Sequence, residues 1–137
     1  MNKISVILAD DHAVVRMGFK LLLQDTKDIE VAGEAESGEE VIKLLNTLTA
    51  DLIVMDLSMP GIGGLETISR IVSKDRSPKI LILSAHEDAI HPKRSLKAGA
   101  NGYLSKRGAA EELIKAIRQI YSGSMYIEPS IAQKIAV

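Results

Sequence analysis

Polar side chains follow several apolar runs of this 137-residue chain, at the points where those runs end. Asp10 and Asp11 come directly after ISVILA, and Asp56 follows LIVM. The run KILIL ends in Ser84, and NGYLS is followed by Lys106. Three carboxylates in one pocket would repel each other, and a hard divalent cation such as Mg²⁺ removes that conflict. With a lysine beside the cation, these residue types could bind and transfer a phosphoryl group.

Asp56 is the candidate nucleophile of this group. A carboxylate at the end of a buried apolar run is costly unless its charge is compensated, and an aspartate can itself accept a phosphoryl group. The hydroxyl of Ser84 could then donate a hydrogen bond to a phosphoryl oxygen. Two neighbours allow more than one interpretation. Asp11 binds the cation or caps the following helix, and His12 starts that helix or acts as a general base.

The elements that would position these residues alternate along the sequence. Strand-like runs are predicted at 4–9, 29–35, 52–55, 79–84 and 101–105. Between them, apolar residues recur at helical spacing, in the sets Val15, Phe19, Leu22, Leu23; Val41, Leu44, Leu45, Leu48; Leu65, Ile68, Val72; and Leu113, Ala116, Ile117, Ile120. This order predicts an α/β fold, a doubly wound five-stranded parallel sheet (flavodoxin-like, βα five times) with helices on both faces. The carboxyl ends of parallel strands share one edge, so the polar residues would converge there.

Local signals mark the boundaries of two predicted helices. Ser37 and Glu40 have the spacing of a capping box that opens the second helix. Pro92 should lie near the start of a short fourth helix, at about 93–98. Gly99 should end that helix, because glycine is the usual residue just past a helix C-terminus.

Composition excludes several classes of protein. The chain is 46% hydrophobic with a formal net charge of −1, so by itself it has no electrostatic footprint for nucleic acid. It has no cysteine, which excludes disulfides, zinc–thiolate sites and thiol catalysis. No apolar run approaches the roughly 20 residues of a membrane-spanning helix, and the N-terminus lacks a signal-peptide pattern. We therefore expect a cytoplasmic protein with no membrane partner.

The polar residues belong to extended motifs that resemble a known family. Together with MDLSMPGIGG and KAGANGYLSK, they resemble the receiver domain of two-component response regulators (CheY-like) over about residues 1–122. The stretches DDHAVVRMGFKLLL and AGEAESGEE are similar to the subfamily with a LuxR/NarL-type output domain. The tail AIRQIYSGSMYIEPSIAQKIA is similar to the global-activator type (GacA/UvrY-like) within that subfamily.

The resemblance implies a division of the chain after the last helix, which Gly123 should end. Residues 1–122 would be the receiver domain. Residues 123–137 would begin a linker towards a C-terminal helix-turn-helix DNA-binding domain that is absent from this chain. From the residues alone, the tail is either such a linker or a frayed terminus, and PSIAQKIAV could begin another helix.

The resemblance also implies a reaction and a cofactor. Asp56 would be the phosphoacceptor, receiving its phosphoryl group from a partner histidine kinase. The cofactor would be Mg²⁺, held by Asp10, Asp11, Asp56 and the backbone carbonyl of Ser58. The protein would be a signalling switch rather than an enzyme with a separate substrate, although it would assist its own phosphotransfer and autodephosphorylation. Homodimerisation on phosphorylation is a further expectation, and DNA would be bound only through the absent output domain.

The resemblance also matches other residues of this chain to positions that form the switch in the family. Ser84 matches the switch hydroxyl, Lys106 the phosphate-binding lysine, and Tyr103 the aromatic switch residue. Ser58 and His86 match positions that tune the lifetime of the phosphoryl group. In the family, phosphorylation draws the hydroxyl inward and the aromatic residue follows, which remodels the surface around the fourth helix.

The chain departs from the family pattern at one position, and two competing functions are also compatible with its sequence. Many receiver domains have a proline with a cis bond after the lysine, but here Arg107 follows Lys106, so the isomer of that bond is undetermined. A Mg²⁺-dependent phosphohydrolase would want a second acid at the position of Ser58. A flavodoxin-like cofactor binder would want a hydroxyl-rich loop in place of the acidic Asp10 and Asp11.

Overall fold

The computed structural model describes residues 3–136, and Met1, Asn2 and Val137 lie outside this part, as do the outermost residues of the two predicted units. Its strands are β1 (Ile4–Ala9), β2 (Ile29–Ala35), β3 (Leu52–Asp56), β4 (Lys79–Ser84), β5 (Gly102–Ser105) and β6 (Tyr126–Ile127). Its helices are α1 (Ala13–Gln24), α2 (Gly38–Leu45), α3 (Gly64–Val72), α4 (Ile90–Ala98), α5 (Ala109–Tyr121) and α6 (Pro129–Ala136). The strands form one parallel sheet in the order β2-β1-β3-β4-β5-β6. Among residues 3–136, no helix has the length and apolarity needed to cross a membrane.

Both faces of the sheet are buried, because alternate residues of each strand point to opposite sides. In β1, Val6 and Leu8 belong to a core under α1 and α5. Ile7 and Ala9 belong to a second core under α2, α3, α4 and α6. The central strand β3 is buried at every residue. The predicted α/β architecture with helices on both faces is therefore confirmed, and double burial explains the near-continuous apolar runs.

The boundary signals work largely as predicted. Ser37 caps α2, since its Oγ accepts a hydrogen bond from Glu40 N at 3.2 Å. The Glu40 carboxylate accepts in return from Glu36 N at 3.4 Å, one residue before the cap residue itself. Gly99 and Gly123 follow α4 and α5 with φ of +123° and +107°, a backbone region that favours glycine.

Helix α4 is short, as expected, but the predicted range 93–98 starts too late. The helix begins at Ile90. Pro92 lies in its first turn, where a missing N–H breaks no helical hydrogen bond. Asp88 Oδ1 accepts from His91 N at 2.8 Å and so satisfies one of the first free donors of the helix. Pro92 therefore lies within the first turn of α4 and not just before the helix.

Helix α3 buries a face that differs from the predicted one. Leu65 and Val72 are 36% and 39% exposed, whereas Ile68 and Ile71 are fully buried. Thr67 is also fully buried, and its hydroxyl donates to the carbonyl four residues earlier at 2.7 Å. Because that hydrogen bond satisfies the hydroxyl, a polar side chain can occupy the buried face, which an apolar pattern does not reveal.

The sheet has six strands, so the predicted number of five was wrong. β6 pairs in parallel with β5, with Tyr126 opposite Gly102 and Ile127 opposite Tyr103. Helix α6 follows directly and places Ile131, which is fully buried, in the second core. A two-residue strand is too short to produce a periodic signal, and this is why it was not predicted.

A buried carboxylate fastens this added segment to the sheet. Glu128 is 7% exposed, and its Oε1 accepts from the backbone N and the Oγ of Ser105, at 3.1 and 2.8 Å. Its Oε2 accepts from Ser130 Oγ at 2.8 Å. The Lys134 ammonium of α6 donates to the Glu87 carbonyl at 2.5 Å. Residues 126–136 are thus packed against the end of β5 and the loop before α4.

This packing predicts that the segment belongs to the cooperative unit of folding. Ile131→Ala should lower the free energy of unfolding by about 2–5 kcal/mol, because it leaves a cavity in the core. Gln133→Ala, on the exposed side of the same helix, should change it by less than about 0.5 kcal/mol. Urea unfolding followed by circular dichroism measures both. Equal stability of the two variants would mean that α6 is not packed in solution.

Candidate functional site

The carboxyl ends of four neighbouring strands lie at one edge of the sheet and bring the predicted polar residues together. The residues that end or directly follow β1, β3, β4 and β5 are Asp10, Asp56, Ser84 and Lys106. The chain order reverses at β1, which has β2 on one side and β3 on the other. Open α/β sheets bind ligands in the crevice beyond such a reversal.

The ammonium group of Lys106 lies between two buried carboxylates. Its Nζ is 2.9 Å from Asp10 Oδ2 and 3.0 Å from Asp56 Oδ2. The two aspartates are only 4% and 3% exposed. Burial alone would lower the pKa of Lys106, but the two carboxylates outweigh burial and hold that pKa above its ordinary value. Lys106 is therefore a fixed positive charge beside Asp56.

The carboxylates outnumber the ammonium, and their arrangement suits a further cation. Asp10, Asp11, His12 and Asp56 each offer one ligand atom, and these four atoms lie within 4.8 Å of one another. Asp10 Oδ2 is buried, and its only close polar contact within residues 3–136 is the Lys106 ammonium at 2.9 Å, which Lys106 shares with Asp56. Helix α1 has His12 at its cap position, so Asp11 is not the cap residue. Carboxylate oxygens with unused bonding capacity are the ligands of hard divalent cations.

The loop after β3 leads away from Asp56. Ser58 is exposed, and its backbone N donates to Asp56 Oδ1 at 3.1 Å. Gly61 and Gly63 have φ of +88° and +84°, so the turn into α3 depends on glycine. The backbone of this loop thus helps to orient the carboxylate of Asp56.

The predicted switch residues lie close to one another around the β4–α4 loop. Ser84 is fully buried, and its Oγ accepts from His86 N at 3.0 Å. Tyr103 is fully buried and donates its hydroxyl to the His86 carbonyl at 2.7 Å. Burial raises the pKa of Tyr103 to about 12. The ring of His86 reaches Ser58, with 3.4 Å between Nε2 and Oγ.

Two further residues lie at the site, and one of them, Arg16, was not predicted from the sequence. The His12 ring lies among the carboxylates, with Nδ1 at 2.9 Å from Asp10 Oδ1 and 3.4 Å from Asp11 Oδ1. Arg16 of α1 donates from Nη1 to the Asp10 carbonyl at 2.5 Å. His12 was interpreted as a helix-start residue or a general base, and it is the N-cap residue of α1. The position of His12 directly after two aspartates was the sequence signal that could have placed its ring among the carboxylates.

The loop after β5 has an ordinary backbone despite the missing proline. All peptide bonds in the described residues are trans, including Lys106–Arg107. The Arg107 guanidinium donates from Nη2 to Glu87 Oε1 at 2.7 Å. An ion pair therefore joins the β5–α5 loop to the β4–α4 loop at this position.

A doubly wound parallel sheet with an acidic pocket and a lysine at its carboxyl edge defines the class of this protein. Residues 6–118 match the family described as response regulator receiver domain. The chain belongs to that family. Membership favours a signalling protein over the phosphohydrolase and flavin-binding alternatives.

Individual relatives confirm the predicted subfamily. The response regulator UvrY of Escherichia coli strain K12 is 46% identical over 134 residues, which are 98% of this chain and 62% of UvrY. The response regulator GacA of Pseudomonas aeruginosa is 40% identical over 134 residues, 98% of this chain and 63% of GacA. The chain thus spans a little under two thirds of the length of these relatives.

Solved structures agree with this assignment. A LuxR-family response regulator from Aurantimonas has a TM-score of 0.93 at 36% identity, covering 98% of this chain and 96% of that one. The isolated receiver domain of RcsB from Salmonella enterica, solved with the phosphomimetic BeF₃⁻, has a TM-score of 0.90 at 29% identity, covering 98% and 99%. The fold and the LuxR/NarL-type receiver assignment are therefore shown.

The buried hydroxyl of Tyr103 predicts a specific alkaline instability. The raised pKa of Tyr103 means that the folded state favours the neutral hydroxyl. The resulting gain in unfolding free energy is complete below the ordinary tyrosine pKa near 10, and it is lost as pH rises towards 12. Tyr103→Phe should therefore reduce the slope of unfolding free energy in this window by about 1.4 kcal/mol per pH unit. Tyr121→Phe, half exposed at 50%, is the matched control and should keep the wild-type slope. Identical slopes for wild type and Tyr103→Phe would contradict the buried hydrogen bond.

Proposed function

We propose that this chain is a cytoplasmic phosphorylation switch in which Asp56 accepts a phosphoryl group from a sensor histidine kinase. The observation that carries the proposal is the surroundings of Asp56. Its buried carboxylate contacts the Lys106 ammonium at 3.0 Å and lies in a cluster with Asp10, Asp11 and His12. Family membership supports the class of function, and the position at the end of β3 supports the choice of residue.

Mg²⁺ is the cation that we propose for the acidic pocket. Its protein ligands would be Asp10, Asp11, Asp56 and the backbone carbonyl of Ser58. The cluster of three carboxylates around a single ammonium group supports this choice. When bound, the ion supplies positive charge to the carboxylates and to the phosphoryl oxygens.

The transfer step uses the Lys106 ammonium, which already lies beside Asp56. A carboxylate oxygen of Asp56 bonds to the phosphorus of the donor, and the bond from phosphorus to the donor imidazole nitrogen breaks. The imidazole leaves and takes up a proton. Negative charge on the phosphoryl oxygens is stabilised by the Lys106 ammonium, and the Ser84 hydroxyl donates a hydrogen bond to one of those oxygens.

The switch itself would act through the loop before α4. Ser84 Oγ and the Tyr103 hydroxyl are both hydrogen-bonded to the backbone of His86. If the Ser84 hydroxyl moves towards a phosphoryl group on Asp56, its hydrogen bond with His86 N would be replaced by one to a phosphoryl oxygen. Such an exchange biases the loop and α4 between two arrangements, in the manner of other phosphorylation switches.

The partners of the switch lie outside this chain. Since the chain spans 62% of UvrY, the proposal includes a C-terminal helix-turn-helix domain, reached through residues 123–137, that alone binds DNA. Homodimerisation on phosphorylation is part of the same proposal, and a solved neighbour shows RcsB dimers bound to DNA. On α1, Val14, Met17 and Leu21 are 86%, 57% and 60% exposed and offer an apolar contact surface for a protein partner.

Phosphorylation from a small donor tests the proposal directly. Incubation with acetyl phosphate and Mg²⁺ should add one phosphoryl group to the wild-type chain, and intact mass spectrometry measures the gain. Asp56→Asn should gain none, because the amide is not a nucleophile at this site. Lys106→Ala should slow the transfer by about 10²-fold or more, since it removes a fixed charge on the transition state. A chelator in place of Mg²⁺ should abolish the gain.

The matched control for this experiment is Asp75→Asn, an exposed carboxylate in the loop between α3 and β4. It should be phosphorylated like wild type. A wild-type chain that gains no mass would contradict the proposal. A gain that persists in Asp56→Asn would assign the acceptor to another residue.

The contact between His86 and Ser58 predicts an effect on phosphoryl lifetime. The ring lies beside the loop that follows Asp56, where an imidazole can take a proton from an attacking water. His86→Ala should therefore slow autodephosphorylation by about tenfold or more, measured as the decay of phosphorylated protein by intact mass. Lys97→Ala, exposed on α4, should keep the wild-type rate. An unchanged lifetime in His86→Ala would remove His86 from the lifetime-tuning positions.

A further inference from the structure

A second group of metal-binding residue types lies at the junction of β4 and α4. His86, Asp88 and His91 each offer one ligand atom, and the three atoms lie within 4.8 Å of one another. This group shares no residue with the acidic cluster of Asp10, Asp11, His12 and Asp56, which is the site of the proposed phosphotransfer. His91 and Asp88 have no part in the proposed phosphotransfer, and His86 would serve both this group and the tuning of the phosphoryl lifetime.

The three residues are held in place by hydrogen bonds and stacking. The rings of His86 and His91 are stacked, with centroids 3.8 Å apart and 5° between their planes. Asp88 Oδ2 lies 2.8 Å from His91 Nδ1, and Asp88 Oδ1 accepts from His91 N at 2.8 Å. The backbone of His86 is bonded to Ser84 and Tyr103. The backbone of the group is therefore largely fixed before a ligand binds, which lowers the entropic cost of binding.

The donor atoms differ in chemistry from those of the acidic cluster. Two imidazole nitrogens and one carboxylate suit Zn²⁺ and neighbouring transition metals, whereas Mg²⁺ prefers oxygen ligands alone. The Asp88 carboxylate supplies a negative charge, and its Oδ1 is oriented by the hydrogen bond that it accepts from His91 N at 2.8 Å. The geometry points to a transition-metal site of the Zn²⁺ type, with His86, Asp88 and His91 as protein ligands and water in the fourth position.

The surroundings of the group leave room for an ion. A cavity of about 300 Å³ has His86 and His91 on its wall, together with Ser58, Glu66 and Arg94. Arg94 opposes a cation, and the Glu66 carboxylate on the same cavity offsets that charge. The lone pairs of two parallel rings do not converge, so one ring rotates about its side-chain torsions when the metal binds.

Metal binding at this place would act on the switch loop. An ion held by His86 and His91 joins the loop after β4 to the first turn of α4. That loop carries the backbone contacts of Ser84 and Tyr103. A bound transition metal would therefore hold the loop in one arrangement, independently of whether Asp56 is phosphorylated.

Zinc titration of the intact chain tests this site. The titration is done by calorimetry in excess Mg²⁺, so that the acidic pocket is occupied by its own cation. Wild type should bind one Zn²⁺ per chain, and His86→Ala and His91→Ala should each abolish saturable binding. Asp88→Asn keeps the acceptor for His91 N but loses the charge, and should weaken binding by about tenfold or more. His12→Ala should retain the binding, because its ring belongs to the other cluster.

Nuclear magnetic resonance of the wild-type chain gives a readout that does not depend on variants. The ring signals of His86 and His91 should shift together on adding Zn²⁺, and those of His12 should stay unchanged while Mg²⁺ is present. Loss of Zn²⁺ binding in His12→Ala, or its displacement by Mg²⁺, would overturn the proposal in favour of the acidic pocket. Absence of saturable binding in the folded wild type, or its survival in His86→Ala or His91→Ala, would also overturn it.

Discussion

Two buried carboxylates share a single ammonium group at the carboxyl edge of this sheet. Asp10 and Asp56 both lie within about 3 Å of Lys106 Nζ, at 2.9 and 3.0 Å. Burying such charges is expensive unless each is compensated, and here one positive charge serves two negative ones. The strands β1, β3 and β5 must hold these groups rigidly, because a small displacement would leave a buried carboxylate unpaired. The excess negative charge of the pocket would be compensated by a further cation. The strands that hold these groups are fixed by the two hydrophobic cores that pack on either face of the sheet.

The same edge is connected to the last elements of the chain by hydrogen bonds. Ser105, the residue before Lys106, is bound by the buried Glu128 carboxylate at the start of α6. Lys134 of α6 donates to the carbonyl of Glu87 in the loop before α4. The two loops that border the pocket thus both contact residues 126–136. A rearrangement of either loop would change the contacts that position α6. A segment that follows α6 in a longer protein would then change its position as well.

Most of the fold and the site could be predicted because burial leaves a pattern in the sequence. The strands β1, β3 and β4 are apolar along their length, and their polar ends identified Asp10, Asp56 and Ser84 in advance. Features that depend on single contacts could not be predicted in this way. Strand β6 has two residues and depends on pairing with β5. The buried hydroxyl of Thr67 is satisfied by a backbone carbonyl, and the ring of His12 has its position among the carboxylates only once the strands are assembled.

The added strand β6 also changes what the rim of the sheet offers to other molecules. An edge strand with free backbone groups is a template on which another chain can extend the sheet. One rim is β6, which has only two residues and passes directly into a helix. The other rim is β2, where Glu30 and Glu34 are exposed and Glu34 is ion-paired with Arg16 and Lys20, so charged side chains line the open edge. Both rims are therefore poor templates for strand pairing, and neither favours growth of an extended sheet from one copy of the chain to the next.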